Sequence, residues 1–376
     1  VEAFHTFFCG AVWGAAIFAA PLFLSGLRST NGRKTAIIEI DTTTEGDCMI
    51  DLTTNFMGLK LANPIIVAAS GLTGTAEGVE KAVQAGAGAV VLKSLFEEQI
   101  LAELGAEEIG IDLDAYPEAE AFVSRTAWEE GTEAYLNLIK ESKTRAGNTP
   151  IFASINCVGT GTWASFTKRI EEAGADALEL NIAYMPHSTA LSSKDIENRV
   201  LSTIKEARLS TRLPIEVKLG SHYSSLPHLA NNISKEGANA LVLFNRFYRF
   251  DIDIGGMKLV RAQPLSTADE YHDSLRWTAL LFQRAGIELA GATGIHDAET
   301  AAKFILAGAS VTQVCSAIYK DGWKVIGAIL DDLKTLIETQ GFSSVDSMRG
   351  KLSAYNSGKP DEYMRLQYIK ALTGIS

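Results

Sequence analysis

The chain has 376 residues, 47% hydrophobic and 21% charged, a composition that excludes disordered and fibrous proteins. Its 34 Lys and Arg stand against 45 Asp and Glu, a net charge of -11 without a basic run, so nucleic acid is not an expected partner. The cysteines, Cys9, Cys48, Cys157 and Cys315, form no CxxC pair, which leaves a zinc or dithiol motif unsupported and points to a reducing compartment.

Residues 1–48 differ in character from the rest. From Ala3 to Leu27 the chain runs without Asp, Glu, Lys or Arg, a length that can span a bilayer. With Val1 and Glu2 ahead of it, the stretch lacks the basic start of a signal peptide. Arg28, Arg33 and Lys34 follow, so the positive-inside tendency would keep everything after it cytoplasmic. A competing reading takes Met49 as the natural start of the domain and 1–48 as an over-extended reading frame. Both readings stay open. Both give a hydrophobic N-terminal extension (1–48), touching a membrane through 4–27 if it is genuine, and a cytoplasmic domain (49–376) that carries the chemistry.

From Met49 a short motif recurs: a helix-like segment, a glycine, then an apolar run ending in a polar residue. Its copies lie at 85–94, 173–182, 236–245, 285–294 and 307–316. The glycine suits a helix C-terminus, and the aliphatic run suits a buried parallel strand. Three further strands follow Pro64, Pro150 and Pro214. In chain order the predicted strands are 65–69, 89–93, 151–155, 177–181, 215–219, 240–244, 288–292 and 311–314. Amphipathic segments separate them, including Ala76–Ala85, Phe166–Ala173, Ile196–Leu209 and Ala298–Leu306. Eight alternating units predict an α/β fold, a (β/α)8 TIM barrel. A doubly wound sheet is the alternative, but Ala69–Gly74 is not a GxGxxG turn. The connections 95–149, 183–194 and 246–270 exceed the usual length and follow strand ends, as insertions at the C-terminal face where barrels build their sites.

The strand ends form a chemical set: Ser70-Gly71, Lys93-Ser94, Asn156-Cys157, Asn181, Lys218, Asn245, Thr293-Gly294 and Cys315-Ser316. Cys157 reads as a small buried filler. Two lysines and three amides without paired carboxylates suit an anionic, carbonyl-rich small molecule rather than a metal. The turns after strands seven and eight sit where this fold binds phosphate, although ordinary tight turns would read the same way. Lys93 and Lys218 are either surface lysines at strand ends or cations facing an electron-rich ring.

The ordered segments LTTNFMGLKLANPIIVAASG, GAGAVVLKS, ADALELNI, LPIEVKLG, ALVLFN, LAGATGI, VTQVCSAIYKDG and GFSSVDSMRGKLS resemble the class 1 dihydroorotate dehydrogenases, above all the dihydroorotate dehydrogenase-like proteins. The resemblance implies an FMN barrel that oxidises dihydroorotate to orotate in pyrimidine biosynthesis. It assigns Ser70, Gly71, Lys93, Ser94, Asn181, Lys218 and Asn245 to the flavin, and Thr293, Gly294, Cys315 and Ser316 to its phosphate turns. A homodimer is compatible with it.

The substrate half departs from that family. Its loop Asn-Leu-Ser-Cys-Pro-Asn, with Cys as base, is Asn181-Ile182-Ala183-Tyr184-Met185-Pro186 here. The family's early Asn-containing loop is not recognisable within 95–125, and its Asn-Ser after strand six is Asn245-Arg246. Tyr184 stands at the base position, with His187 as the second candidate and Asn181 and Lys218 completing the catalytic set. An unperturbed phenol titrates near ~10 against ~8.5 for a thiol, so a phenolic base needs help at neutral pH. Three functions stay open: dihydroorotate oxidation, an FMN oxidoreductase of another cyclic or unsaturated substrate, and a flavin-free phosphate-binding barrel acting as a lyase or binding protein. The electron acceptor is not indicated, and no cysteine cluster supports an iron–sulfur centre.

Overall fold

The three strands announced by proline begin as that residue requires. The carbonyls of Pro64, Pro150 and Pro214 accept from Thr312, Val90 and Leu178 on neighbouring strands. At a first strand position the missing proline N–H costs no ladder bond. The recurrent glycine also behaves as its chemistry demands: Gly86, Gly174 and Gly237 have φ of 97°, 97° and 98°, each ending a helix before a strand.

The computed structural model describes residues 50–96, 131–157, 166–182, 184–247 and 249–364, with Ile369 and 372–374. The chain divides into Val1–Asp47 and Cys48–Ser376. The first unit, with its apolar stretch 4–27, lies outside the described residues, as do most of the 95–149 connection and the Cys157 side chain. Among the described residues no helix is long and apolar enough to cross a membrane.

A two-stranded antiparallel hairpin comes first, β1 (Thr54–Phe56) and β2 (Leu59–Leu61). Then follow β3 (Ile65–Val67), α1 (Ala76–Gln84), β4 (Ala89–Val91), β5 (Leu95–Phe96), α2 (Thr132–Ala146), β6 (Ile151–Cys157) and α3 (Phe166–Glu172). Next are β7 (Ala177–Ile182), α4 (Ser193–Ser210), β8 (Ile215–Leu219), α5 (Leu226–Lys235) and β9 (Ala240–Leu243). A second hairpin, β10 (Phe250–Asp253) and β11 (Lys258–Arg261), precedes α6 (His272–Leu281), β12 (Glu288–Ala292), α7 (Ala298–Ala307) and β13 (Val311–Val314). The chain continues through α8 (Ser316–Asp321), α9 (Lys324–Thr339) and α10 (Val345–Met348).

Strands β3, β4, β6, β7, β8, β9, β12 and β13 each pair in parallel with the next, and β13 returns to β3. The closed ring is a (β/α)8 barrel, and closure excludes the doubly wound alternative. The two hairpins had no counterpart in the sequence reading. The second predicted strand is broken: β4 stops at Val91, and β5 resumes pairing at Leu95 opposite Ile155. Across the gap the Tyr135 hydroxyl, from α2, accepts from Ser154 N at 2.8 Å and donates to Ser154 O at 3.0 Å, replacing the ladder.

One core layer lies between strands and helices and another inside the barrel. The inner one contains Ile66, Ala89, Val91, Phe152, Ala177, Ala240, Val242, Ala290 and Val311. Phe56, Met57 and Leu61 of the first hairpin plug it, with the Phe56 and Phe152 rings stacked at 6.5 Å.

Candidate active site

Side chains alternate along a strand, so two residues beyond that apolar floor the same inward faces carry Ser154, Glu179 and Gln313 on β6, β7 and β13, with Glu216 and then Lys218 on β8. Register makes them neighbours: Ser154 pairs with Glu179, and Glu179 with Glu216. Ser154 Oγ meets Ser94 Oγ and donates to Glu179 Oε1, both at 2.8 Å. Gln313 Nε2 donates to Glu179 Oε2 at 3.2 Å and to Glu216 Oε1 at 3.1 Å. Lys218 Nζ donates to Gln313 Oε1 at 2.9 Å and lies 3.7 Å from Glu179 Oε2. Both glutamates are 0% exposed and Lys218 is 7% exposed. Burial, and then the Glu179 carboxylate, push the Glu216 carboxyl well above the usual range.

A cavity of about 500 Å³ opens above this layer, lined by Lys218, Asn245, Thr293, Gly294, Cys315 and Ser316 among others. Four further lining residues, Arg246, Arg249, Arg261 and Ser266, were not among the residues expected at the site. The described lining has four cations and no Asp or Glu, so it favours an anion. Thr293 and Gly294 both have positive φ, 70° and 76°, and Thr293 Oγ1 donates to Phe244 O at 3.0 Å, holding that turn. A Cβ at Gly294 would lie 2.6 Å from Tyr271 N. Ser316, opening α8, accepts from Ser266 N at 3.0 Å, and Lys320 Nζ donates to Ser266 O at 2.7 Å. Arg246 is bound by Glu270 and by the Pro264 and Gln263 carbonyls, so it clamps the loop that carries Ser266. Burial and then Lys320 hold the His296 imidazole below its ordinary value, and burial pushes the Cys315 thiol up.

The remaining expected residues are distributed around this centre. Asn181, 8% exposed, accepts from Asn245 Nδ2 at 3.0 Å. Ser70 caps a short 3-10 turn (Gly71–Thr73), its hydroxyl accepting from Leu72 N at 3.3 Å, while Gly71 lies against the Tyr319 hydroxyl. Lys93 is half-buried at the break between β4 and β5, against Gly74. Tyr184 is half-buried with the Arg199 guanidinium 4.4 Å from its ring centroid, and neither Tyr184 nor the exposed His187 lines the cavity. Ala183 falls outside the described residues, as does the stretch expected to hold an early substrate loop. Among the described residues no group of three or more His, Cys, Asp or Glu could hold a metal.

Glu179, Glu216 and Gln313 were missed because single polar residues inside apolar runs look like strand interior. The usable signal was their two-residue spacing from Asn181, Lys218 and Cys315, which places them on the same inward faces. Ser266 and Arg246 lie within the long 246–270 connection.

The family model described as dihydroorotate dehydrogenase matches residues 51–337. A protein of Thermoplasma volcanium is 26% identical over 325 residues, covering 80% of this chain and 98% of its own. One from Methanothermobacter thermautotrophicus is 28% identical over 324 residues, covering 80% and 97%. One from Pyrococcus abyssi is 28% identical over 307 residues, covering 80% and 98%. All three are named dihydroorotate dehydrogenase B (NAD(+)), catalytic subunit.

Proposed function

The chain belongs to the dihydroorotate dehydrogenase family, whose members are oxidoreductases acting on CH–CH groups, and from that premise we propose that it is an FMN-dependent enzyme of this type with an altered catalytic-base loop. The observation that carries the reading is the cationic cavity at the ends of β12 and β13. Its volume is within the range of small-molecule sites. The donor chemistry fits a phosphorylated, carbonyl-rich ring. Thr293, Gly294, Cys315 and Ser316 would hold the phosphate, with Ser266 completing the cradle. Ser70, Gly71, Lys93, Ser94, Asn181, Lys218 and Asn245 would hold the ring. Bound FMN supplies the hydride acceptor. The chain's own residues bind, orient and take the proton. Asn181 and Asn245 form an amide pair for a carbonyl-bearing substrate. Tyr184, or His187 behind it, takes the proton from the carbon next to the one oxidised. The Arg199 guanidinium fixes the Tyr184 ring by a cation–π contact. The scattered cysteines support a cytoplasmic setting for the barrel.

A second reading, an FMN oxidoreductase acting on another cyclic or unsaturated substrate, is favoured by that same loop, where a phenol replaces the family's thiol. The purified protein should be yellow and release FMN; a colourless protein that takes up no FMN on refolding overturns the cofactor. Dihydroorotate should be oxidised slowly, at a rate rising into alkaline pH, and Tyr184→Phe should lower it by about 10²–10⁴-fold if the phenol is the base. Robust neutral turnover untouched by Tyr184→Phe moves the base to His187. Turnover of a different substrate under the same assay selects the second reading.

A further inference from the structure

The two buried glutamates have no part in that scheme, and their surroundings allow a count of charge. Three of their four carboxyl oxygens are bound: Glu179 Oε1 by Ser154, Glu179 Oε2 and Glu216 Oε1 by the Gln313 amide. Glu216 Oε2 is buried with no hydrogen-bond partner among the described residues. The glutamates are direct cross-strand partners, and the one Gln313 amide nitrogen binds a carboxyl oxygen of each, so the two carboxyl groups lie side by side. Two full negative charges against the one ammonium of Lys218, with water excluded, would leave an uncompensated buried charge.

Among the described residues the other groups facing the pair add no charge. Tyr135, from α2, is buried, and burial and the nearby Glu179 raise its phenol so that it stays neutral. Ser94 and Ser154 are uncharged, and the Cys315 thiol at the end of β13 is pushed up by burial. From β9 and β12 the inward residues are Val242 and Ala290.

We propose that Glu179 and Glu216 share one proton and present a single negative charge to Lys218, acting as positioning residues that hold its ammonium at the cavity floor and neutralise it there. The arrangement itself is a property of the protein. Its consequence rests on the flavin reading above: the cavity floor offers a negatively charged reduced ring an ammonium that is already matched, so the preference for reduced over oxidised flavin is moderate.

Sharing distinguishes this from burial of one acid. With Glu216→Gln, Glu179 keeps the charge. With Glu179→Gln, Glu216 loses its like-charged neighbour and takes the charge over. At neutral pH the infrared spectrum of the purified protein should contain the carbonyl stretch of a protonated carboxylic acid, lost in either single variant. The ratio of affinities for reduced and oxidised FMN should stay within about twofold of wild type in both. In the double variant Lys218 is unmatched, and the ratio should rise by about tenfold, equivalent to about 30 mV for two electrons. A carboxylic-acid band that persists in Glu179→Gln overturns the proposal, as does a double variant with the wild-type ratio. Should the double variant fail to fold, the spectra of the single variants decide. A wild-type protein that binds no FMN yet shows the predicted bands overturns the flavin reading and leaves the shared proton standing.

Discussion

The lower half of the barrel interior holds Phe152, Ala177, Ala240 and Val311, closed from below by an apolar hairpin; one inward step along β6, β7 and β13, the upper half holds Ser154, Glu179 and Gln313, joined from β8 by Glu216 and Lys218. The strands and the parallel ladder are common to both, so secondary structure does not distinguish them. The lower half needs nothing but volume, because apolar side chains are stabilised by leaving water and by close packing. The upper half has to match every donor and charge it buries. The first gives the barrel stability, and the second a floor with defined charge for the cavity.

The widest separation between the halves should come from Phe152→Ala. It should remove about 3–5 kcal/mol of stability, read from denaturant unfolding, with flavin retention unchanged. Loss of flavin from the folded variant would show that the halves are not independent. Lys218→Met removes the cation that the described upper layer holds and should cost about 3 kcal/mol at neutral pH, together with a clear loss of flavin affinity, measured by equilibrium dialysis. Unaltered affinity would return Lys218 to a structural role. Gly294→Ala, on the rim, should cost about 2 kcal/mol and weaken flavin binding, because its backbone is left-handed and its Cβ would meet the Tyr271 amide.

Glu216→Gln sharpens the comparison through pH. The Glu216 carboxyl is raised in the folded state, so its contribution is complete below its ordinary value of 4.5 and is lost as pH rises towards the raised value. The variant should match wild type in mild acid and gain on it by up to about 1.4 kcal/mol per pH unit above that, a slope read from unfolding curves at several pH values. Parallel curves would mean that Glu216 is ionised throughout. The smallest effect belongs to the outer surface, where Arg145 pairs with Glu77 at 3.0 Å and Glu80 at 2.9 Å, partly exposed. Arg145→Ala should cost about 0.2–1 kcal/mol, reduced further by salt, as a control for the buried pair.

Much of the barrel could be read directly. Pro64, Pro150 and Pro214 mark strand starts, and Gly86, Gly174, Gly237 and Gly308 mark helix ends, because both residue types act through local backbone preference; Gly286 is the exception, five residues beyond the end of α6. The hairpins were less legible: β1 and β2 are three residues each, and β10–β11 lies in a polar, irregular stretch. Of the site, the strand-end residues Lys218, Asn245, Thr293 and Cys315 were visible as polar terminators of apolar runs. Arg246, Ser266 and Gln313 were not, since their partners are 17 to 134 residues away.

The amino-acid sequence by itself determined the eight βα units, their order and the polar character of the strand ends, because turn chemistry and side-chain alternation are local properties. Closure of the ring was decided in three dimensions, by the pairing of β13 with β3 and of β4 with β6. With closure came the meaning of Glu179, Glu216 and Gln313. Both faces of a barrel strand are buried, so the pattern along one strand does not say which side points inward. That depends on the register between strands, which brings Glu179 opposite Glu216 and Gln313 across the interior to both, and leaves Lys218 as the cation between them and the cavity.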